Sequence, residues 1–244
     1  MSLLDAVPVP RRTMNLFFMI DTSGSMYGSK IAAVNNSIRN VIPIIEDISA
    51  SNPDAEIKIA AMDFSTSTKW LYSEPRNLQD FVWEDLEAEG LTALGEACVE
   101  LSYKLSRKGG YMNSASGSFA PAIILLSDGG PTDDFEGGLK TLKQNNWFKN
   151  AIKVAIAVGD DADKNVLAQF TGNSEGVFTV HNIDALKLII RAVAVTSSKI
   201  GSQSSSATDS SKNEQVIKEV KEETKDVNGI DQGTGPSSGY DDWD

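Results

Sequence analysis

Asp21-Thr-Ser23-Gly-Ser25 sets three oxygen-bearing side chains on alternate residues of a stretch that follows the apolar run Asn15–Ile20. Alternate spacing lets one carboxylate and two hydroxyls converge on a point, while Gly24 and Gly28 permit sharp backbone turns. Three hard oxygen donors suit Mg²⁺, Mn²⁺ or Ca²⁺ better than zinc or copper. The same residues also suit an Asx or Ser turn that caps the following helix. Two other stretches carry matching chemistry. Thr92, in Glu89-Gly-Leu-Thr92-Ala-Leu-Gly95, opens an amphipathic stretch, where a threonine is also an ordinary N-cap. Asp128, in Ser127-Asp128-Gly-Gly-Pro-Thr132-Asp133, leaves the apolar run Ile123–Leu126 into a Gly/Pro turn, where an aspartate is equally at home. Each stretch alone has a plain structural explanation. Their joint occurrence, each just past an apolar run, points to one divalent-cation site built from Asp21, Ser23, Ser25, Thr92 and Asp128.

Such residues need a scaffold that brings distant loops together. Short apolar runs at Asn15–Ile20, Ile57–Phe64, Ala122–Leu126, Val154–Val158 and Val177–Val180 have strand length. Between them lie amphipathic stretches. Ile31, Val34, Ile38, Val41, Ile45 and Ile48 recur every three or four residues, with Pro43 as a potential kink. Ala93, Leu94, Ala97, Cys98, Leu101 and Leu105 form a second helical face, which makes Cys98 a core residue. Leu167–Phe170 and Ala185–Ala194 belong to further helices, the last expected over about 183–200. Strands alternating with helices predict an α/β fold with a mostly parallel sheet covered on both faces. Lys69–Tyr72 follows its strand too closely for a crossover and predicts an antiparallel edge hairpin. Ligands of such sheets bind beyond the carboxyl ends of the strands, where all three loops fall.

The chain of 244 residues carries 22 basic and 34 acidic side chains, a net charge of -12. That balance argues against nucleic acid or an anionic membrane as the main partner. One cysteine and one histidine, Cys98 and His181, exclude an internal disulfide and the usual Cys/His metal centres. No apolar run approaches the ~20 residues that span a bilayer. The order of charge in the first twelve residues does not fit a secretory signal, so a cytoplasmic location is expected. Domain limits are expected at 1–13 for a lead-in, 14–200 for the folded body and 201–244 for a tail. That tail has ten acids, four lysines and eight hydrophobics, a composition that predicts disorder. Within it Val216, Ile217, Val220 and Val227 recur at near-helical spacing; a helix there would need a partner surface.

The motifs DTSGSM, GLTALGEA and LLSDGGPTD resemble the three loops of the metal-ion-dependent adhesion site of the von Willebrand factor A domain, over roughly residues 14–197. The resemblance implies a doubly wound, mostly parallel six-stranded sheet with one antiparallel edge strand. It implies Ser23 and Ser25 as direct metal ligands and Thr92 as a ligand in the ligand-ready state. Asp21 is implied to act through water and hydrogen bonds to the serines. Asp128 is implied to be water-linked when a partner is bound and closer to the metal otherwise. Among family members, FMIDTSGSM, AMDFST, LSDGGPTDD and AVGDDAD are most similar to the tellurite-resistance and stress-associated bacterial type, some relatives of which are encoded beside a protein kinase and a phosphatase.

The implied activity is binding, not catalysis. Neutral hydroxyls around a dication leave it short of negative charge, and a carboxylate from a protein partner fills the open position. The terminal Tyr240-Asp-Asp-Trp243-Asp makes the chain's own tail a second source of that carboxylate. Asp63, Asp133, Asp134, Glu136, Asp160, Asp161 and Asp163 also follow strand ends and are expected to form a solvated acidic rim. Phosphoryl transfer from Asp21 would need a second aspartate where Ser23 stands. A nucleotide-binding P-loop and a G-x-S-x-G elbow are both missing, and a Ser-His-Asp hydrolase would have to use His181. A further reading is a scaffold phosphorylated at the hydroxyl-rich junction, Thr196, Ser197, Ser198, Ser202, Ser204, Ser205, Ser206, Thr208, Ser210 and Ser211.

Overall fold

The computed structural model describes residues 11–112, 117–203, 209–235 and 242–243, with backbone alone at 209–211. The chain runs β1 (Arg12–Asp21), α1 (Ser29–Ser51), β2 (Ala55–Phe64), β3 (Thr68–Trp70), β4 (Arg76–Asn77), α2 (Leu94–Lys104) and β5 (Ala122–Ser127). It continues through α3 (Phe135–Leu142), α4 (Asn146–Asn150), β6 (Ile152–Val158), α5 (Lys164–Thr171), β7 (Val177–Val180), α6 (Ile183–Gly201), α7 (Asp209–Thr224) and β8 (Ile230–Gln232). One sheet of eight strands has the order β3-β2-β1-β5-β6-β7-β8, with β4 also paired to β2. The five strands from β2 to β7 in that order are parallel.

The α/β class and the doubly wound arrangement agree with the sequence. The number of strands does not. Among the described residues eight replace six, and both edges are antiparallel: β3 and β4 on β2, and β8 on β7. The hairpin expected near Lys69 is β3, with Asp63 opposite Lys69.

The central strand β1 shows how the two cores form. Its alternate residues Leu16, Phe18 and Ile20 face one way and pack with α1 and α6. Phe17 and Met19 face the other way and meet side chains of α2, α3 and α5. Strand β5 is buried at all six positions, as expected of a strand covered on both faces. Helix α1 passes through Pro43 as one element, with that residue on its exposed side, where the carbonyl it leaves unbonded can meet water.

The chain beyond Gly201 differs most from its composition. Disorder is corrected here to a helix and a strand that complete the domain. Val216, Ile217 and Val220 of α7 are buried, and the helix packs on α6 and β6. Asn213 accepts from the Lys153 amide at 2.8 Å, and the buried Lys212 ammonium donates to the Gln203 carbonyl at 2.7 Å. Sixteen residues of helix rise about 24 Å, enough to carry the chain back along the sheet. A helix so polar would be marginal alone; three apolar side chains on one face suffice because the body supplies the surface they bury against. The expected lead-in, save residues 11–13, and the terminal Tyr240, Asp241 and Asp244 lie outside the described residues.

Candidate metal centre

All three loops meet at the carboxyl ends of β1 and β5. Asp21 is the last residue of β1 and Asp128 the first after β5, and both side chains are fully buried. The backbone of the first loop closes on itself: the Ser23 amide donates to Asp21 Oδ1 at 2.8 Å. Ser23 Oγ and Ser25 Oγ lie 3.1 Å apart, and Ser25 Oγ donates to Asp128 Oδ1 at 2.6 Å. The other Asp21 oxygen accepts from Ser127 Oγ at 2.5 Å. A continuous hydrogen-bonded path therefore joins Asp21, Ser23, Ser25 and Asp128.

Gly28, at φ +85°, has a backbone that L side chains rarely adopt, and it turns the loop into α1. Gly24 has no such conformation; its amide instead donates to the Gly90 carbonyl at 3.1 Å and fastens the first loop to the second. Thr92 is buried and does not cap α2. Its backbone pairs with Thr132 instead, in one direction through the Thr132 hydroxyl at 3.1 Å and in the other through the Thr132 amide at 2.9 Å. The free amides of Gly95 and Glu96 at the start of α2 are taken by Asp133, at 2.9 and 2.8 Å. Asp133 thus belongs to the third loop and holds the second against it.

The acidic rim resolves into separate tasks. Asp134 caps α3 and Asp163 caps α5, so with Asp133 three of the rim carboxylates are engaged by amides. Burial raises the Asp63 carboxyl above its ordinary range, against the pull of Lys69. His181 is buried just before Asn182, the N-cap of α6, and does not begin that helix. Its ring lies 3.0 Å from Asp231 and 3.5 Å from Asp160.

Two fully buried carboxylates demand a counter-charge. Among the described residues one ammonium answers them: Lys30 Nζ sits 2.8 Å from Asp128 Oδ2 and 3.6 Å from the exposed Asp161. Burial pushes the Asp21 carboxyl above its usual range; the Ser127 and Ser23 hydrogen bonds pull it down, and the nearby Asp128 charge adds to the rise. The donor set fits a hard dication, since two carboxylates against one ammonium leave negative charge over. Among the described residues no group of three or more His, Cys, Asp or Glu side chains could hold a metal; this centre mixes two carboxylates with hydroxyls.

Ser127 and Lys30 carry no role in the sequence reading, and Asp133, expected in the solvated rim, instead caps α2. Ser127 stands in a quoted motif and Lys30 four residues past another, but a hydroxyl inside a strand and a lysine in the first turn of a helix carry no signature of their partners. Asp133 had a visible signal, a carboxylate next to a turn, that could not say whose amides it caps. Thr196, Ser197, Ser198 and Ser202 are buried against α6's neighbours, which removes them from the phosphorylation reading. Ser204, Ser205, Ser206 and Thr208 lie outside the described residues, as do the side chains of Ser210 and Ser211.

The family model for the von Willebrand factor type A domain matches residues 15–192, and the chain belongs to that family. It is 25% identical over 180 residues to mouse inter-alpha-trypsin inhibitor heavy chain H2, covering 70% of this chain and 18% of that one. Among solved structures, proximal thread matrix protein 1 from the mussel byssus, described with a zinc-occupied MIDAS motif, matches at a TM-score of 0.57 and 15% identity, over 78% of this chain and 48% of that one. A von Willebrand factor type A protein from Catenulispora acidiphila matches at 0.56 and 15%, over 77% and 43%. The chain thus spans a fifth of the heavy chain and under half of these two solved chains, and the structural likeness is one of fold.

Proposed function

We propose that this domain is a metal-dependent protein-binding module. Asp21, Ser23, Ser25, Thr92 and Asp128 would hold one divalent cation, Mg²⁺ or alternatively Mn²⁺ or Ca²⁺, and a partner's Asp or Glu would reach it. The bound cation supplies a Lewis acid for that carboxylate. The single observation that carries the reading is the meeting of two fully buried carboxylates from separate strand ends, linked through Ser23 and Ser25 and opposed by one ammonium. The chain's own residues do the rest: Ser127 and the Ser23 amide orient Asp21, Asp133 fastens the Thr92 loop, and Gly90 fastens the first. Tyr27 and Leu91, 79% and 57% exposed, stand beside Ser25 and Thr92 and offer apolar contact around the carboxylate's landing point. The zinc described in the mussel neighbour supports a divalent ion in this family.

Binding without catalysis is favoured by Ser23 at the position a phosphotransferase gives to its acid/base, and by the burial of His181 between two carboxylates. The narrower reading, a tellurite-resistance or stress-response protein with kinase and phosphatase partners in the cytoplasm, rests on the similarity of the segments around Asp21, Asp63, Asp128 and Asp160. No helix among the described residues is long and apolar enough to cross a membrane.

Calorimetry on metal-stripped protein tests the site with Mg²⁺, Mn²⁺, Ca²⁺ and Zn²⁺ in turn. Binding at one site per chain, abolished by Ser23→Ala/Ser25→Ala, is expected. Unchanged binding in that double variant sinks the assignment. A pull-down in Mg²⁺ against one in chelator then reports the partner, and phosphatase and ATPase assays in Mg²⁺ report the enzymatic alternative.

A further inference from the structure

The Lys30 ammonium that neutralises Asp128 is itself held from above by the far end of the chain. Its Nζ lies 5.7 Å from the centroid of the Trp243 ring. Trp243 is half-buried and packs on the larger of the two cores. The residue before it is pinned to the rim of the crevice: the Asp242 amide donates to the His181 carbonyl at 2.7 Å, and Asp242 bridges Asn182 in parallel. The delivery is built into the fold. Helix α7 lies on α6 and β6, β8 pairs with β7, and Asp231 of β8 reaches the buried His181 ring. Gly229, at φ +85°, starts that return against the Asn182 side chain, whose carboxamide nitrogen an added Cβ would strike.

We propose that Asp242–Trp243 is an intrachain strap that keeps Lys30 on Asp128, and that metal binding excludes this closed arrangement and releases the strap. The inference rests on the metal-binding reading and adds its regulation. Charge explains the competition. With Lys30 in place the two buried carboxylates are one charge short of neutral. A dication completes the neutralisation alone, and the ammonium beside it is then repelled. Lys30 can leave, because its four-carbon stem is flexible and its side chain is 14% exposed. Trp243 rests on that ammonium by a cation–π contact, so the departure of Lys30 removes one of its supports. The indole N–H has no acceptor among the described residues, which keeps the docked state shallow and releasable. A tethered strap acts at high effective concentration, so a weak contact suffices to close the site. An incoming carboxylate partner would meet an open crevice only after metal has displaced Lys30 and the strap together.

The test uses the full chain with fluorine-labelled tryptophan, the Trp243 resonance being assigned by its loss in Trp243→Phe. Mg²⁺ alone is the titrant. Wild type should shift the Trp243 resonance as Mg²⁺ binds, and Asp21→Ala should not. Trp243→Ala and Lys30→Gln should each tighten Mg²⁺ binding by roughly 3- to 10-fold in calorimetry, the range a partly desolvated cation–π contact allows. The double variant should gain no more than Lys30→Gln alone, since both act on one competitor. Trp243→Ala is the deciding variant because it changes no charge. If wild type and Trp243→Ala bind Mg²⁺ equally, or the Trp243 resonance ignores Mg²⁺, the strap is wrong while the metal site stands. If neither wild type, Trp243→Ala nor Lys30→Gln binds Mg²⁺, the metal site is wrong and the strap's role falls with it.

Discussion

Asp21 and Asp128 end neighbouring parallel strands and are buried to the same degree, yet the protein treats them differently. Asp21 is held by groups that cannot leave: a backbone amide and the hydroxyl of Ser127, itself locked inside β5. Asp128 is held by Ser25 and by Lys30, a long side chain on another element whose other neighbours are the exposed Asp161 and the indole of Trp243. One carboxylate is fixed by the scaffold and the other by an exchangeable cation. A site that must accept and release a charged ligand needs both kinds, one to define the position and one to trade partners.

The largest effect should come from the fixed side. Asp21→Asn keeps the shape and removes the charge, and should weaken Mg²⁺ binding by at least about 100-fold, or roughly 2.7 kcal/mol. The metal-free variant should be no less stable than wild type, since burial works against the ionised carboxylate; calorimetry and urea unfolding check the two halves. Ser127→Ala comes next. It strips Asp21 of a donor that nothing else replaces, costing about 2 kcal/mol of stability whether or not Mg²⁺ is present. Lys30→Gln on the exchangeable side should cost about 1 kcal/mol in metal-stripped protein, and Mg²⁺ should erase the difference. Equal responses of these two variants to Mg²⁺ would erase the distinction between the carboxylates.

Lys153 gives the smallest effect and a control remote from the site. Its ammonium meets the carbonyls of Phe148, Lys149 and Ala151 and lies 5.1 Å from the Phe148 ring centroid, and burial lowers its pKa to about 8. Below pH 8 both folded and unfolded chains carry the charge and the burial cost is felt in full. Between about pH 8 and 10.5 the unfolded chain holds more protons than the folded one, so wild-type stability rises with pH relative to Lys153→Met. The gain should stay under about 1 kcal/mol after solvent screening, read by urea unfolding of both proteins at pH 7.5 and 10.

The alternation of apolar runs and amphipathic stretches was enough to read the class of fold, because a buried parallel strand such as β5 has few other ways to look. The short edge strands were less legible: β4 and β8 bury little, and their pairing is decided by neighbours far away in sequence. The motif loops were legible as stretches of suitable donors. Their fastenings were not, since the Asp133 carboxylate caps a helix 38 residues upstream and Lys30 reaches Asp128 across 98 residues. The segment after Gly201 misled for a different reason. Composition averages over every residue, whereas Val216, Ile217 and Val220 share one face and find a ready surface on α6 and β6.

The place where composition changes is therefore not a seam along which the fold can be cut. Strand β7 is four buried residues, Val177–Val180, and its outer hydrogen-bonding edge is covered by β8, which arrives only after α7. A piece ending near Lys199, where the charged and serine-rich sequence begins, would expose an apolar ribbon of the kind that templates sheet-to-sheet association. For anyone grafting this domain into a fusion or trimming it for expression, the transferable unit includes the acidic stretch that looks dispensable.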